Sequence, residues 1–483
     1  MTYTRGASKG IRTITPTFAA DTKSLDAGDI HGIHPVMQAM RKVFTEAQRS
    51  TQCHQRCYET LGRLLFKHEC AWTEYFYCVS RILVVSNRDP GVERLVQFVS
   101  LVAASSSNAG HAEGSSRETS GLLVKTVDFL LERSRASDKA VRFRCCQLVG
   151  AILAVLVERR AGEEPDGLGD RVVEVLLPRL RDKVAAVRVH AIEAVKLLQI
   201  DGDDPSRGGP AGQAAGETGE AGEEDQVTKE ILRVMMSDSS PDVRKAALAA
   251  VTKRPGMLDQ LVLRAQDVKE SVRVATFRTI GEHVSPKHLQ PHQRVKLMQR
   301  GLSESSKAVY DACRLMLGTH WLRDSNGDPV ELLRHFGVCR SERLCEKIVR
   351  EIVVLGLKAD REREDPSLGM SLTLAEAKAL RQAARRSVDV TANSAPKSGS
   401  GSENVPGDDG GKGMGDPRAG GRRGISPEEA LFARVKAEVV KDDKELSAAE
   451  REARLAEILP DTGTRAGLHG GHRRRCIRGS AAA

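Results

Sequence analysis

The sequence predicts an all-α solenoid, a superhelix of antiparallel helix pairs, and three observations support that fold class. Apolar residues recur at three- and four-residue steps over most of the chain, as from Val141 through Cys145 to Leu148, which places one apolar stripe on each helix. No stretch alternates apolar and polar residues over the length of a strand. One local motif also returns at intervals typical of stacked repeats.

In the repeated motif, an acidic residue or a serine leads through a short turn to a valine and a polar residue. The five copies lie at 138–142, 182–188, 238–244, 267–273 and 303–310, and their valines are 46, 56, 29 and 37 residues apart. This spacing allows two helices per unit and resembles the HEAT repeat. Each unit has an apolar stripe that only its neighbours can cover, so stacking builds one continuous core.

The first copy contains Ser137 and Asp138, which can cap the following helix through a side-chain oxygen. Four copies place an arginine directly after the valine, at Arg142, Arg188, Arg244 and Arg273. These arginines can pair with the aspartate of their own or the next turn, which predicts an ion-pair ladder along the solenoid. A role in binding a ligand is the alternative for the same residues.

The chain is expected to divide into a solenoid and several segments that cannot bury enough apolar surface to fold. The solenoid spans 31–360, and a second helical segment, a possible start of further repeats, spans 425–460. The remaining predictions are a disordered tail at 1–30, a loop at 103–120, an acidic glycine-rich insert at 201–226, a partly helical and then disordered linker at 361–424, and an unstructured basic tail at 461–483.

The charge of the chain is unevenly distributed. The 483 residues include 74 Lys+Arg and 65 Asp+Glu, a net charge of +9. Residues 201–226 contain eight acids and one base, a charge of −7, which leaves +16 on the rest. A basic body favours a polyanionic partner, most often nucleic acid. A basic surface that only keeps the protein soluble is the alternative. We further hypothesise that the acidic insert lowers the affinity for DNA by folding over a basic groove on the concave face of the solenoid.

Basic residues are the main candidate site. Lining a concave solenoid face, they would follow the phosphate backbone of duplex DNA without reading bases. Aromatic residues make up only 4% of the chain, which disfavours base stacking on single strands. For each cation, a purely solvated role is the alternative. The predicted DNA-contacting residues are Arg41, Lys42, Arg49, Arg56, Arg88, Lys139, Arg142, Arg144, Lys183, Arg188, Lys245 and Lys269.

The sequence lacks the motifs of the common catalytic and cofactor sites. There is no phosphate-binding loop, no His-Glu-x-x-His and no nucleophile elbow, so we expect no catalytic residues, cofactor or small-molecule substrate. The ten scattered cysteines predict free thiols in a reducing, intracellular compartment. No stretch approaches eighteen apolar residues, so neither a transmembrane helix nor a membrane partner is expected.

One cluster of metal-ligand types needs a separate interpretation. Cys53, His54, Cys57, His68, Cys70 and Cys78 lie within 26 residues. A zinc site needs four converging ligands. The cluster lacks the Cys-x2-Cys spacing and lies in a helical apolar pattern, so buried thiols on helices explain it better than a metal.

Four stretches resemble the condensin complex subunit 3 family, the G-type HEAT-repeat subunits of condensin. They are 33–102, with VFTEAQ at 43–48 and RDPGVERLVQFV at 88–99; 139–150; 182–198; and 238–248 with 267–273. A weaker match lies at 425–432. The resemblance covers residues 33 to about 360.

The resemblance implies a non-catalytic subunit that binds the kleisin subunit and grips duplex DNA during mitotic chromosome condensation. The paired SMC ATPases of the complex would supply the energy. It implies a location in the nucleus and on chromosomes, with a cytoplasmic pool. Family members are roughly twice as long as this chain, which puts the full kleisin-binding surface in doubt. A HEAT adaptor that binds only proteins, as a transport receptor or phosphatase scaffold does, is the alternative.

Overall fold

The computed structural model describes residues 35–105, 116–159, 167–199, 226–364, 426–443 and 446–458. Every regular element in these ranges is a helix, which confirms the predicted all-α class. The chain divides into two compact units, Met1–Thr252 and Lys253–Ala483.

The first unit consists of helices that pack on their neighbours along the chain. They are α1 Pro35–Arg49, α2 His54–Lys67, α3 Cys70–Leu83, α4 Pro90–Ser105, α5 Ser116–Arg133, α6 Lys139–Glu158, α7 Leu168–Leu176, α8 Ala185–Val195, α9 Gln226–Ser237 and α10 Pro241–Ala250. A 3-10 turn, Leu177–Arg181, continues α7. Helix α6 packs between α4 and α8, and α8 packs in turn against α10. The second helices of successive pairs therefore form one layer.

The repeated motif forms the turn that starts each second helix. Asp138 is the N-cap of α6, and its carboxylate accepts a hydrogen bond from the Ala140 amide at 2.8 Å, which confirms the predicted cap. The same turn recurs before α8, where Asp182 accepts from the Val184 amide at 2.9 Å. The motif acid therefore holds the turn before the second helix, and in the first copy it is also the N-cap.

Helix α6 is a long helix with few charged residues. One 18-residue window of it has a mean hydropathy of 1.8, so by length and composition it is a candidate for crossing a membrane. This finding corrects the sequence-based exclusion, which required an unbroken apolar run and did not allow for a window that tolerates Arg142 and Arg144. In the structure α6 packs on helices of the first unit, and Cys145, Leu148 and Val149 are fully buried. Its apolar composition matches its place in the core.

The second unit is also built of paired helices. They are α11 Leu258–Leu263, α12 Glu270–His283, α13 Pro291–Gly301, α14 Lys307–Leu315, α15 Leu322–Asp324, α16 Pro329–Arg334, α17 Val338–Glu364, α18 Pro427–Asp442 and α19 Ala448–Ile458. A π-helical turn, Met316–Trp321, joins α14 to α15. Helix α18 packs against α16 and α17, and its first turn has a capping box between Ser426 and Glu429. Helices α18 and α19 lie in the predicted segment 425–460.

The two predicted ends of one loop are wrong. The loop predicted at 103–120 is shorter, because α4 continues to Ser105 and α5 begins at Ser116. Ala103 and Ala104 are buried in α4. Helix α17 continues to Glu364, into the segment 361–424 that the sequence predicts to be partly helical. The tails at 1–30 and 461–483, residues 201–225 of the insert and most of the linker lie outside the described residues.

Candidate nucleic-acid interface

Two motif arginines of the first unit bridge consecutive repeats. Arg142 donates to both carboxylate oxygens of Asp182, with Nε–Oδ2 at 2.8 Å and Nη2–Oδ1 at 3.1 Å. Arg188 repeats the arrangement one unit later, with Nη2–Oδ1 of Asp238 at 2.8 Å. We call these two pairs the arginine ladder. The ladder confirms the structural interpretation of these arginines and selects the aspartate of the next turn as their partner.

The ladder arginines also bind their own turns. Arg142 donates to the carbonyl oxygens of Ala136 and Ser137, at 3.0 and 2.7 Å. Burial raises the pKa of Asp182, but hydrogen bonds from Arg142 and the Val184 amide outweigh it, so the net pKa lies below its usual range. Each bridge is therefore a largely buried ion pair between two turns.

The second unit has an equivalent bridge with a different acid. Arg273 donates to the carbonyl oxygen of Asp267 in its own turn at 2.9 Å, and its Nε lies 3.2 Å from the carboxylate of Glu304. Glu304 belongs to the fifth motif copy, in which serines occupy much of the turn. The same kind of bridge between turns is therefore formed here with a glutamate in place of an aspartate.

Arg144 has the most buried guanidinium among the predicted DNA-contacting residues. Its side chain is only 1% exposed. It donates to the carbonyl oxygens of Val85 and Asn87, at 2.9 and 2.7 Å, and to Glu93 at 2.9 Å. Arg144 therefore holds the turn between α3 and α4, the turn that also contains Arg88.

Three further predicted residues have acidic partners. Arg41 lies 2.5 Å from Glu74, which is 3% exposed. Arg56 pairs with Glu46 at 2.9 Å on the surface. Lys245 pairs with Asp242 at 2.8 Å within α10. Surface pairs of the last two kinds are weak, so these two cations remain accessible to an anionic ligand.

The remaining predicted residues are exposed cations that lie more than 4.0 Å from every carboxylate of the described ranges. In the first unit these are Lys42, Arg49, Arg88, Lys139 and Lys183, and in the second unit Lys269. Lys139 follows Asp138 and Lys183 follows Asp182 in the motif turns, and the Arg142–Asp182 bridge joins those two turns. The ladder therefore brings Lys139 and Lys183 to one edge of the first unit. The contact of these residues with DNA stays a prediction.

The Cys/His cluster does not converge in the structure. Cys57 and Cys78 are buried, whereas Cys70 is exposed. His54 is buried with its Nε2 3.1 Å from the carbonyl oxygen of Ala47. Across the described ranges, no three His, Cys, Asp or Glu side chains are arranged to hold a metal. The nine cysteines in those ranges are free thiols.

Sequence reasoning missed a charged group formed by Arg181, Glu230 and Arg233. Arg181 Nε donates to Glu230 Oε1 at 2.9 Å, and Arg233 Nη2 donates to the same oxygen at 2.7 Å. The Glu230–Arg233 spacing of three residues on α9 was visible in the sequence as a helical ion pair. The approach of Arg181 from the preceding pair depends on tertiary packing.

Helix pairs joined by capped turns and an arginine ladder define this protein as an α-solenoid of HEAT repeats. No family model matches the chain. It is 30% identical over 297 residues to condensin complex subunit 3 of Homo sapiens and 32% identical over 303 residues to that of Xenopus laevis. Each match covers 62% of this chain and 27% of the relative. These matches confirm the resemblance of the chain to condensin complex subunit 3.

The match covers only about a quarter of each of these longer relatives. The crystal structure of the S. pombe condensin Cnd3-Cnd2 subcomplex is similar over 72% of this chain and 41% of the matched chain, with a TM-score of 0.52 at 20% identity. That structural match supports the solenoid fold.

Proposed function

We propose that this protein is a non-catalytic regulatory subunit of condensin that binds the kleisin subunit and duplex DNA in mitotic chromosome condensation. The protein would associate with the SMC ATPase pair through the complex. It would act in the nucleus and on chromosomes. The observation that carries the proposal is the set of exposed cations that have no acidic partner among the described residues, two of which, Lys139 and Lys183, lie on motif turns joined by the ladder.

The arrangement supports binding to the DNA backbone without recognition of sequence. Lys139 and Lys183 are point charges on flexible stems, which attract phosphates without geometric selection of a base. Arg142, Arg144 and Arg188 are held by protein acceptors, and a DNA contact would have to break those bonds. The proposal therefore relies on the exposed cations and, secondarily, on the weakly paired Arg56 and Lys245.

The proposal that the protein binds a kleisin rests on the comparison with its relatives. Two relatives are named as condensin complex subunit 3, and the structural neighbour is a subcomplex of Cnd3 with Cnd2. A solenoid that presents successive helix pairs offers an extended surface on which a second chain can lie. We take kleisin binding as the second half of the proposed function.

The test is fluorescence anisotropy of a labelled duplex of about 30 base pairs, titrated with the full chain at several salt concentrations. The proposal predicts an affinity that is alike for unrelated sequences and falls linearly on a log–log salt plot, with a slope of about −0.9 for each neutralised phosphate. A parallel series adds a labelled kleisin fragment.

Each result has a distinct meaning. Absence of duplex binding down to about 50 mM salt, where backbone contacts are strongest, contradicts the DNA half of the proposal. Kleisin binding without DNA binding would make the protein-only adaptor the better description. Failure of both series would overturn the proposed function.

A further inference from the structure

A cleft of about 480 Å³ lies between the 3-10 turn Leu177–Arg181 and the first two turns of α9. Leu177 and Pro178 line its apolar part, and Arg181, Lys229 and Arg233 surround it with positive charge. These residues belong to α9 and to the turn that continues α7, so the cleft is separate from the motif turns that carry Lys139 and Lys183.

The cleft already holds one carboxylate between two guanidinium groups. Arg181 contacts the oxygens of Glu230 through Nε and Nη2, at 2.9 and 3.2 Å, and Arg233 contacts them through Nη2 and Nε, at 2.7 and 2.9 Å. Burial disfavours the charged form of Glu230, but the hydrogen bonds from the two arginines outweigh burial and lower its pKa to about 2. The planar guanidinium groups of Arg181 and Arg233 therefore approach each other in a geometry that suits a carboxylate.

One carboxylate does not neutralise the positive charge around the cleft. Arg181, Lys229 and Arg233 supply three positive charges against the one negative charge of Glu230. No other carboxylate of the described ranges lies within 4.0 Å of these three cations. Arg181 and Arg233 are 68% and 44% exposed, so donors of both remain available at the surface for a second acidic group.

The acidic insert joins the chain at this cleft. Residues 201–225 have a charge of −7 and lead directly into Gln226, which lines the cleft. Arg233 is seven residues further along α9, about 10 Å away at the helical rise. Four extended residues span about 13 Å, so the acids at Glu217, Glu220 and Glu223 can reach the whole cleft.

We propose that this cleft is the docking site of the acidic segment 201–225 of the same chain. The charges are complementary, and the tether keeps the segment at an effective concentration of roughly millimolar, which favours it over an acidic segment of another molecule. The contact is exposed, so salt weakens it. Docking here is independent of the proposed DNA and kleisin binding and makes the segment part of the α7–α9 surface.

The first experiment measures occupancy by competition. The probe is a fluorescent peptide of residues 213–225, titrated at about 50 mM salt into the full chain and into a full chain whose residues 201–225 are replaced by an uncharged Gly-Ser sequence of equal length. We expect the peptide to bind the Gly-Ser chain and to bind the native chain at least about tenfold more weakly, because the tethered segment occupies the cleft. Arg181→Glu in the Gly-Ser chain abolishes binding, whereas Lys67→Glu, an exposed charge reversal on α2, leaves it unchanged.

The second experiment reads the tethered contact directly. A glutamate-specific protease cleaves after Glu223 and Glu224, and mass spectrometry of the fragments follows those two cuts separately from cuts at the introduced glutamates. We expect Arg181→Glu to accelerate cleavage after Glu223 and Glu224 about tenfold at low salt and not at about 0.5 M salt, where charges are screened. Lys67→Glu is again the control. Equal peptide binding to the native and Gly-Ser chains, no peptide binding to either, or cleavage rates that do not respond to Arg181→Glu would each overturn the proposal.

Discussion

Arg142 and Asp182, forty residues apart, form a bidentate ion pair that ties the turns of two consecutive helix pairs together. Asp182 at the same time holds the turn before α8, because its carboxylate accepts a hydrogen bond from the amide of Val184, the N-cap residue of that helix. One carboxylate thus serves a local turn and a contact between repeats, and this double use makes the position sensitive to substitution.

Asp182→Ala is expected to lower the free energy of unfolding by about 3 kcal/mol, because it removes the carboxylate partner of Arg142 in a largely buried site and the hydrogen bond to the Val184 amide. Asp128→Ala is the matched control, since Asp128 pairs with Arg171 at 3.7 Å on the surface, with both side chains more than 40% exposed, and should cost less than about 0.5 kcal/mol. Urea denaturation measures both variants. Equal losses would show that the ladder contributes no more than a surface pair.

Arg144→Ala is expected to lower the free energy of unfolding by about 3–5 kcal/mol, because it removes a buried charge that partners two carbonyl oxygens and Glu93. Arg135→Ala, at an exposed arginine of the turn before α6, should change it by less than about 0.5 kcal/mol. Thermal unfolding monitored by circular dichroism compares the two. A loss below about 1 kcal/mol would contradict the structural role of Arg144.

The stability that Glu230 contributes should disappear in acid. Its pKa is lowered from 4.5 to about 2 in the folded protein, so its contribution is complete above about pH 4.5 and is lost as the pH falls toward 2. The difference in unfolding free energy between the native chain and Glu230→Gln should therefore be constant at higher pH and shrink through that window. Denaturation series at several pH values measure it, and a difference that does not change with pH would be inconsistent with the two arginine contacts.

Lys183→Ala should weaken duplex binding alike for unrelated sequences and reduce the log–log salt slope by about 0.9, the value for one lost phosphate contact. Lys67→Ala is the control, because Lys67 is equally exposed but lies at the end of α2, away from the motif turns. Anisotropy titrations at several salt concentrations provide both slopes. Equal effects of the two substitutions would indicate a diffuse charge effect instead of an interface at the motif turns.

Two helical glycines should respond to alanine in opposite directions. A Cβ at Gly301 in α13 would lie 2.8 Å from Cys313 Cβ and 2.8 Å from Phe277 Cζ, so Gly301→Ala should destabilise the second unit by about 1–3 kcal/mol. A Cβ at Gly62 in α2 meets nothing within 4 Å, and Gly62→Ala should stabilise its helix by about 0.5–1 kcal/mol. Chemical denaturation measures both, and destabilisation by Gly62→Ala would contradict the described environment of α2.

The helices and their capped turns were predictable because the relevant interactions are local. Asp138 caps α6 by binding the amide two residues further along the chain, and a valine–arginine pair follows the turn in four of the five motif copies. The arginine ladder was predictable in kind, since a carboxylate and a guanidinium recur at repeat distance. The choice between the aspartate of the same turn and that of the next was open, because it depends on how closely two turns approach.

For the candidate site, the sequence predicted an excess of basic residues but not which of them are exposed. Excess charge in the sequence indicates a polyanionic partner, but the twelve predicted cations include Arg144, which is sealed under the turn between α3 and α4, and Lys183, which is exposed. Both are basic residues next to an apolar helix pattern. Which of them faces water depends on packing against residues more than fifty positions away.

The class of fold, the spacing of the repeats and the cap of α6 follow from the sequence alone, because helical periodicity and capping act over a few neighbouring residues. Tertiary packing was needed to show that Arg142 bridges to Asp182, that Arg144 is a core residue, and that Arg181 meets Glu230 and Arg233 at a cleft. Those contacts arise where helices distant in sequence approach within hydrogen-bonding distance, and that approach is set by the fit of whole side-chain surfaces.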